Sequence, residues 1–345
     1  MTRVVVVVVL MIAVVSGCSA QPSTPGPVRD AESVHRAGPA ASEVVTSHDP
    51  YIGLAQMLAA RQVDVWFETD LVAPWLKGPA AFDATITRIG QLAKVPGVVG
   101  FKVADELGYG DGLGSPDEVK QFLVDVDRAL KRVAPSAQLL VDAIVPELGC
   151  LPWKGTAQAD CASSARSDYP AATEAAMTSY LRSGAIDRLD LSTGLLDQST
   201  YDSWGTNRRQ AQVEAWAHVA RSDWPSLTTM QARKALAEAG GYSGSGAQAA
   251  DDVATYVDVP VAAGARAVDI WTWRQTYDGQ VVSLLDENLS SNPLWQALEA
   301  EHRRGVPLIT HMTPSAMPTR PHAYAHECDR VADVFTAVFV AAGTG

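Results

Sequence analysis

Basic residues are in short supply in this chain: 27 Lys and Arg stand against 39 Asp and Glu, for a formal net charge of −12. No basic run and no basic stripe interleaved with aromatics occurs, which argues against nucleic acid as a partner and against a polybasic membrane surface. Phosphate-binding chemistry is equally unsupported. The glycines of Gly108-Tyr109-Gly110-Asp111-Gly112-Leu113-Gly114 lack a P-loop lysine and fit no dinucleotide fingerprint, so they read as a flexible loop before the helix at Pro116. No Ser or Cys stands in a nucleophile elbow. Histidine and cysteine number only seven and four, and none of them falls in a metal-ligand spacing, so neither metal nor other cofactor is expected.

Long apolar runs are also missing. The longest, Val4 to Val15, follows Arg3 and is too short for a spanning helix, which needs roughly 20 residues. It has the length of a signal-peptide core. It ends in Val15-Ser16-Gly17-Cys18, which resembles the lipobox of bacterial lipoproteins. That resemblance implies a signal peptide over residues 1–17, lipidation of Cys18, membrane attachment through that lipid, and a location on the outer face of the cell membrane. An ordinary secretory signal with an incidental cysteine is the alternative. Residues 18–42 are rich in Pro, Ser, Ala and Gly without apolar periodicity, the composition of a flexible tether.

The remaining 300 or so residues are enough for one large core, and a monomer is expected. Cys150 and Cys161 bracket a polar segment after a β-rich run, and in an oxidising compartment a disulfide between them is expected. Zinc binding is the sharper reading, but no histidine lies close by.

From residue 43 to 305 short β-rich runs alternate with helical patterns. The runs are Val44–Thr46, Val63–Glu68, Val98–Val103, Leu139–Ile144, Leu189–Ser192, Leu227–Met230 and Ala267–Trp273. Helical segments cover Tyr51–Arg61, Ala81–Ala93, Pro116–Val133, Ala171–Ser183, Thr206–Ala220 and Ala247–Ala263. Such alternation predicts parallel βαβ units, and seven or eight of them predict an α/β fold of the (β/α)8 barrel type, in a single domain. A doubly wound sheet is the rival. It favours continuous apolar strands, whereas Val63, Val65 and Phe67 alternate with Asp64, Trp66 and Glu68. After the helix that begins at Asn292-Pro293 the pattern stops. Residues 306–345, with His302 just before them and His311, His322 and His326 within, read as a poorly ordered C-terminal extension.

A (β/α)8 barrel places its active site at the C-terminal ends of the strands. Glu68, Asp105, Glu106, Asp142, Asp190, Gln231, Arg233, Trp271, Trp273 and Arg274 fall at or near those ends. The arrangement resembles the (β/α)8 glycoside hydrolases in three features: the acidic pair in Ala104-Asp105-Glu106, the aromatics of Trp271-Thr272-Trp273, and the link from Leu284-Leu285-Asp286 to Asn292-Pro293-Leu294-Trp295. The resemblance implies paired-carboxylate cleavage of a glycan. Glu106 would be the general acid, with Asp142 or Asp190 as its partner. Trp66, Trp271 and Trp273 would stack on the sugar, while Asp64, Glu68, Gln231 and Arg233 would bond its hydroxyls. The sequence departs from many retaining enzymes of this class in having no Glu on a late strand. Each residue also has a plainer use, the acids as helix caps and the tryptophans as barrel filling. A non-catalytic carbohydrate-binding or envelope lipoprotein is therefore the alternative.

Overall fold

Helices begin and end in this chain where local chemistry satisfies their free backbone groups. In the computed structural model, which describes residues 49–193, 198–317 and 323–341, the helix Pro116–Val133 shows how. Ser115 caps it by accepting the Glu118 N–H, Asp117 and Glu118 occupy its first turn, and Lys131 and Arg132 its last. Those charges complement the helix dipole. Its buried stripe of Val119, Phe122, Leu123, Val126, Ala129 and Leu130 recurs at helical spacing and packs inward. Each large apolar side chain so buried contributes about 1.5–3 kcal/mol. The loop before it is pinned, since Asp111 accepts from the Gly108 and Leu113 N–H groups, both at 3.0 Å.

Eight parallel strands close on themselves. They are β1 (Asp64–Glu68), β2 (Val98–Ala104), β3 (Gln138–Ile144), β4 (Arg188–Ser192), β5 (Thr229–Ala235), β6 (Val268–Tyr277), β7 (Leu308–Met312) and β8 (Ala337–Ala341). Each pairs with the next, and β8 returns to β1. Helices lie between successive strands, so the protein is a single-domain (β/α)8 barrel. β6 runs on past the ring and pairs antiparallel with Gln280–Ser283, which in turn pairs with Glu238–Ala239.

The C-terminal residues correct the expected boundary. Residues 306–317 and 323–341 are not a loose extension: they supply β7, the helix Ala323–Ala332 and β8, without which the ring would not close. Leu308-Ile309-Thr310-His311-Met312 carries a His because the barrel lumen receives it, and a Thr whose hydroxyl donates to the Ile270 carbonyl oxygen, and so lacks the apolar signature of a strand. The expected first strand, Val44–Thr46, lies outside the described residues, as do the lipobox, Cys18 and the tether up to residue 42. Among the described residues no helix is long and apolar enough to cross a membrane.

Alternation divides each strand between two environments. Outward residues such as Val65, Phe67, Phe101, Val103, Leu139 and Val141 join the main apolar core beneath the helices. Inward residues stack in layers. A lower apolar layer holds Trp66, Leu140, Ala267, Ile309, Ala337 and Phe339. The Trp66 ring lies across Gly100, where a Cβ would stand 2.3 Å from the ring and 2.6 Å from the Gln138 carbonyl oxygen. Above this plug the lumen turns polar.

Candidate active site

The polar layer is built by one residue or two from each of seven strands. Glu68 closes β1, and Lys102 comes from β2, Asp142 from β3, Asp190 from β4, Gln231 and Arg233 from β5, Asp269 from β6, and His311 from β7. Register brings them level, for Asp142 pairs with Asp190, Asp190 with Gln231, and Arg233 with Asp269. Lys102, Asp142, Asp190, Gln231, Asp269 and His311 are each at most 1% exposed. Glu68 and Arg233 reach the mouth, with side chains 21% and 14% exposed.

Two cations organise the carboxylates. Lys102 Nζ donates to Asp105 Oδ1 at 2.6 Å and Glu68 Oε1 at 3.3 Å, and lies 3.6 Å from Asp142 Oδ2. Arg233 Nη1 contacts Asp142 and donates to Asp105 Oδ1 at 3.1 Å, while its Nε is 3.8 Å from Asp269 Oδ2. Burial would raise the Glu68 carboxyl, but Lys102 and His311 outweigh it and hold Glu68 at about 2. Asp105 is likewise held below the usual carboxylate range against its burial by Lys102 and Arg233.

His311 joins the opposite side of the layer. Its Nδ1 lies 2.9 Å from Glu68 Oε2 and its Nε2 2.7 Å from Asp269 Oδ2. Burial would discharge this ring, yet Asp269 and Glu68 more than offset that and raise it above the ordinary histidine value. With both nitrogens protonated, each N–H has a carboxylate acceptor. Asp190 is pushed the other way for a carboxyl, well upward, by burial and by Asp269. Among the described residues no three His, Cys, Asp or Glu are arranged to hold a metal ion.

This geometry redistributes the residues singled out in the sequence. Asp142, Asp190, Glu68, Gln231 and Arg233 do meet in one layer. Asp64 begins β1 and sits at the opposite, N-terminal end of the barrel. Trp66 is 1% exposed in the apolar plug, below the layer. Trp273 faces the helices, 5.5 Å from Trp295, and donates to Glu327 Oε2 at 2.5 Å. Only Trp271 lies half-buried by the mouth, against Tyr277 at 5.3 Å and donating to Gln275.

Glu106 needs a further correction. Strict alternation would point it into the lumen and turn Asp105 away, but the β2–β3 register shifts between Lys102 and Ala104. The shift gives Asp105 the contact with Lys102 and Arg233, and leaves Glu106 in a left-handed turn at φ 53°. Burial, then Asp105, raises the Glu106 carboxyl.

Lys102, Asp269 and His311 are the residues that sequence reasoning left out of the site, and Asp105 was named at its strand end without a role. A Lys and an Asp inside apolar strands, in Phe101-Lys102-Val103 and Val268-Asp269-Ile270, were the available signal. His311 had none, because its strand was not recognised. Cys150 and Cys161 form a disulfide beyond β3, while Cys328 is buried and free. Surface hollows of about 280 and 420 Å³ lie between helices, and no residue of the polar layer lines either.

No protein-family model matches the sequence, and no curated protein matches it. Among solved structures, the carboxyl transferase domain of Rhizobium etli pyruvate carboxylase, with 3-bromopyruvate, is similar at 12% identity and a TM-score of 0.43. That match covers 85% of this chain and 42% of the other, so the chain spans less than half of the carboxyl transferase domain. A phosphonomutase from Burkholderia cenocepacia is similar at 12% identity over 83% of this chain and 91% of that one, with a TM-score of 0.41. A lyase or mutase from the same organism is similar at 14% identity over 84% and 82%, with a TM-score of 0.37. At this level the likeness assigns neither reaction nor ligand.

The expected glycosidase and its glycan partner are corrected here. The structures named above are a carboxyl transferase domain and lyase or mutase proteins, and none of them is a glycoside hydrolase. The site itself shows why the expectation fails. The acid assigned to Glu106 is outside the layer, its intended partners Asp142 and Asp190 are sealed in the lumen, and two of the three stacking tryptophans are packed away from the mouth.

Proposed function

We propose that the polar layer is an acid–base active site that moves protons on a small neutral or cationic molecule carrying amine or hydroxyl groups. The observation that carries this reading is His311, held between Glu68 and Asp269 at hydrogen-bond distance on both nitrogens. An imidazole so placed holds a proton in the interior and has Glu68, which reaches the mouth, as its outlet. Titratable groups whose environments push them apart are the mark of acid–base sites. Here Glu68 and Asp105 are driven down while Asp190 and Glu106 are driven up.

Charge supports the substrate class. Around the mouth and layer the carboxyls of Glu68, Asp105, Glu106, Asp142 and Asp269 outnumber the cations Lys102, Arg233 and His311, whose charges are already turned to carboxylates. An anionic substrate would meet net repulsion; an amine or a hydroxyl would find acceptors. On location, the Val15-Ser16-Gly17-Cys18 motif and the Cys150–Cys161 disulfide support the outer face of a membrane as the place of action.

The test is solvent deuterium incorporation, or product formation, with a panel of small amines, amino alcohols, polyols and carboxylic acids in heavy water. Wild type should act on amine- or hydroxyl-bearing members, and His311→Asn should lose about 10²–10⁴-fold. A wild type inert across the panel, or an undiminished His311→Asn, overturns the reading.

A further inference from the structure

Asp190 sits in the most demanding position of the polar layer. It is fully buried, with the side chains of Asp269 and Gln231 beside it, and no donor stands in good hydrogen-bond geometry to either of its carboxyl oxygens. Every neighbouring element contributes a group. Lys102 on β2 is committed to Glu68, Asp105 and Asp142. Asp142 on β3 is level with Asp190 and is itself a carboxyl. β5 offers the uncharged Gln231, and Arg233, which turns to Asp105 and Asp142. β6 brings Asp269, and β7 brings His311, which turns to Asp269 and to Glu68 on β1. Among the described residues no cation pairs with Asp190.

A buried carboxylate without a counter-ion is costly, the neutral Gln231 amide offsets little of that cost, and the carboxyl of Asp269 beside it raises it. Asp269 offers the relief. Its Oδ2 accepts from His311 Nε2 at 2.7 Å, whereas its Oδ1 is buried without a partner. One hydrogen placed on Asp190 satisfies both difficulties.

We propose that Asp190 carries a proton in the folded protein and presents it to Asp269 Oδ1, making Asp190 a positioning residue that holds Asp269 as the acceptor for His311 Nε2. Asp190 thus acts through Asp269 on the imidazole and does not touch a substrate. Burial and Asp269 both drive the Asp190 carboxyl in the direction this requires. The inference deepens the acid–base reading, but its test records proton positions rather than turnover, so the two fail separately.

The experiment is NMR on the full-length protein with ¹³C-labelled aspartate, reading the Asp190 Cγ shift at pH 7, together with the His311 titration in wild type and in Asp190→Asn. A protonated-acid shift for Asp190, and a His311 titration unmoved by the neutral, donor-bearing Asn, are expected. An ionised-carboxylate shift overturns the proposal. So does a His311 midpoint lowered by about one unit in Asp190→Asn, because the substitution would then have removed a charge. Should Asp190→Asn fail to fold, the wild-type Cγ shift decides alone.

Discussion

His311 and Asp269 lie 42 residues apart in the chain, yet Nε2 of one stands 2.7 Å from Oδ2 of the other across adjacent barrel strands. The other nitrogen finds Glu68, 243 residues away. Closure of the ring makes both contacts, so barrel topology and site chemistry depend on each other.

Lys102 is the cation on which three carboxylates turn. Lys102→Met should cost about 3–5 kcal/mol in urea unfolding at neutral pH, the loss expected when a buried charge network loses one of its cations. The deficit should shrink in acid as the released carboxyls take up protons. An equal deficit at every pH would assign the cost to packing instead.

Glu68 should contribute to the acid limb of stability, beside Asp105. Its folded value of about 2 lies below the ordinary 4.5. Its contribution is therefore present above pH 4.5 and is lost as the pH falls toward 2. The amount is on the order of 3 kcal/mol. Glu68→Gln, unfolded in urea between pH 2 and 7, should show a flatter acid limb than wild type.

Gly100→Ala tests the apolar plug. A methyl there meets both the Trp66 ring and the Gln138 carbonyl oxygen, so a loss of about 1–3 kcal/mol is expected from overpacking. A neutral result in thermal unfolding would mean that the Trp66 ring can move aside.

Much of the barrel was legible in the sequence because strands such as Val63–Glu68 and helices such as Pro116–Val133 carry clear period-2 and period-3.6 patterns. β7 was not, since its five residues include Thr310, whose hydroxyl bonds the Ile270 carbonyl oxygen, and His311, which the lumen accommodates. With β7 unrecognised, His311 was read as part of a loose tail. Glu106 was misplaced for a different reason: the register shift after Lys102 leaves no mark in residue types. Trp66 and Trp273 were assigned to substrate because an aromatic in a strand reads the same whether it floors a site, plugs a barrel or packs beneath a helix.

The disulfide has a cost that can be measured. Cys150 and Cys161 are separated by 11 positions, and closing a loop of that length stabilises by about 3 kcal/mol. Cys161→Ser should lower stability by that order in thermal unfolding, and reductant should do the same to wild type while leaving Cys161→Ser unchanged.

The central claim, that His311 is a proton-holding group charged by its two carboxylate neighbours, is met most directly by NMR titration of His311 in wild type and in Asp269→Asn. The account predicts a wild-type midpoint above 6.5, the ordinary histidine value, and a lower midpoint in Asp269→Asn. A wild-type midpoint at or below 6.5 would contradict it, because burial would then have prevailed over Glu68 and Asp269, leaving a neutral imidazole in the lumen.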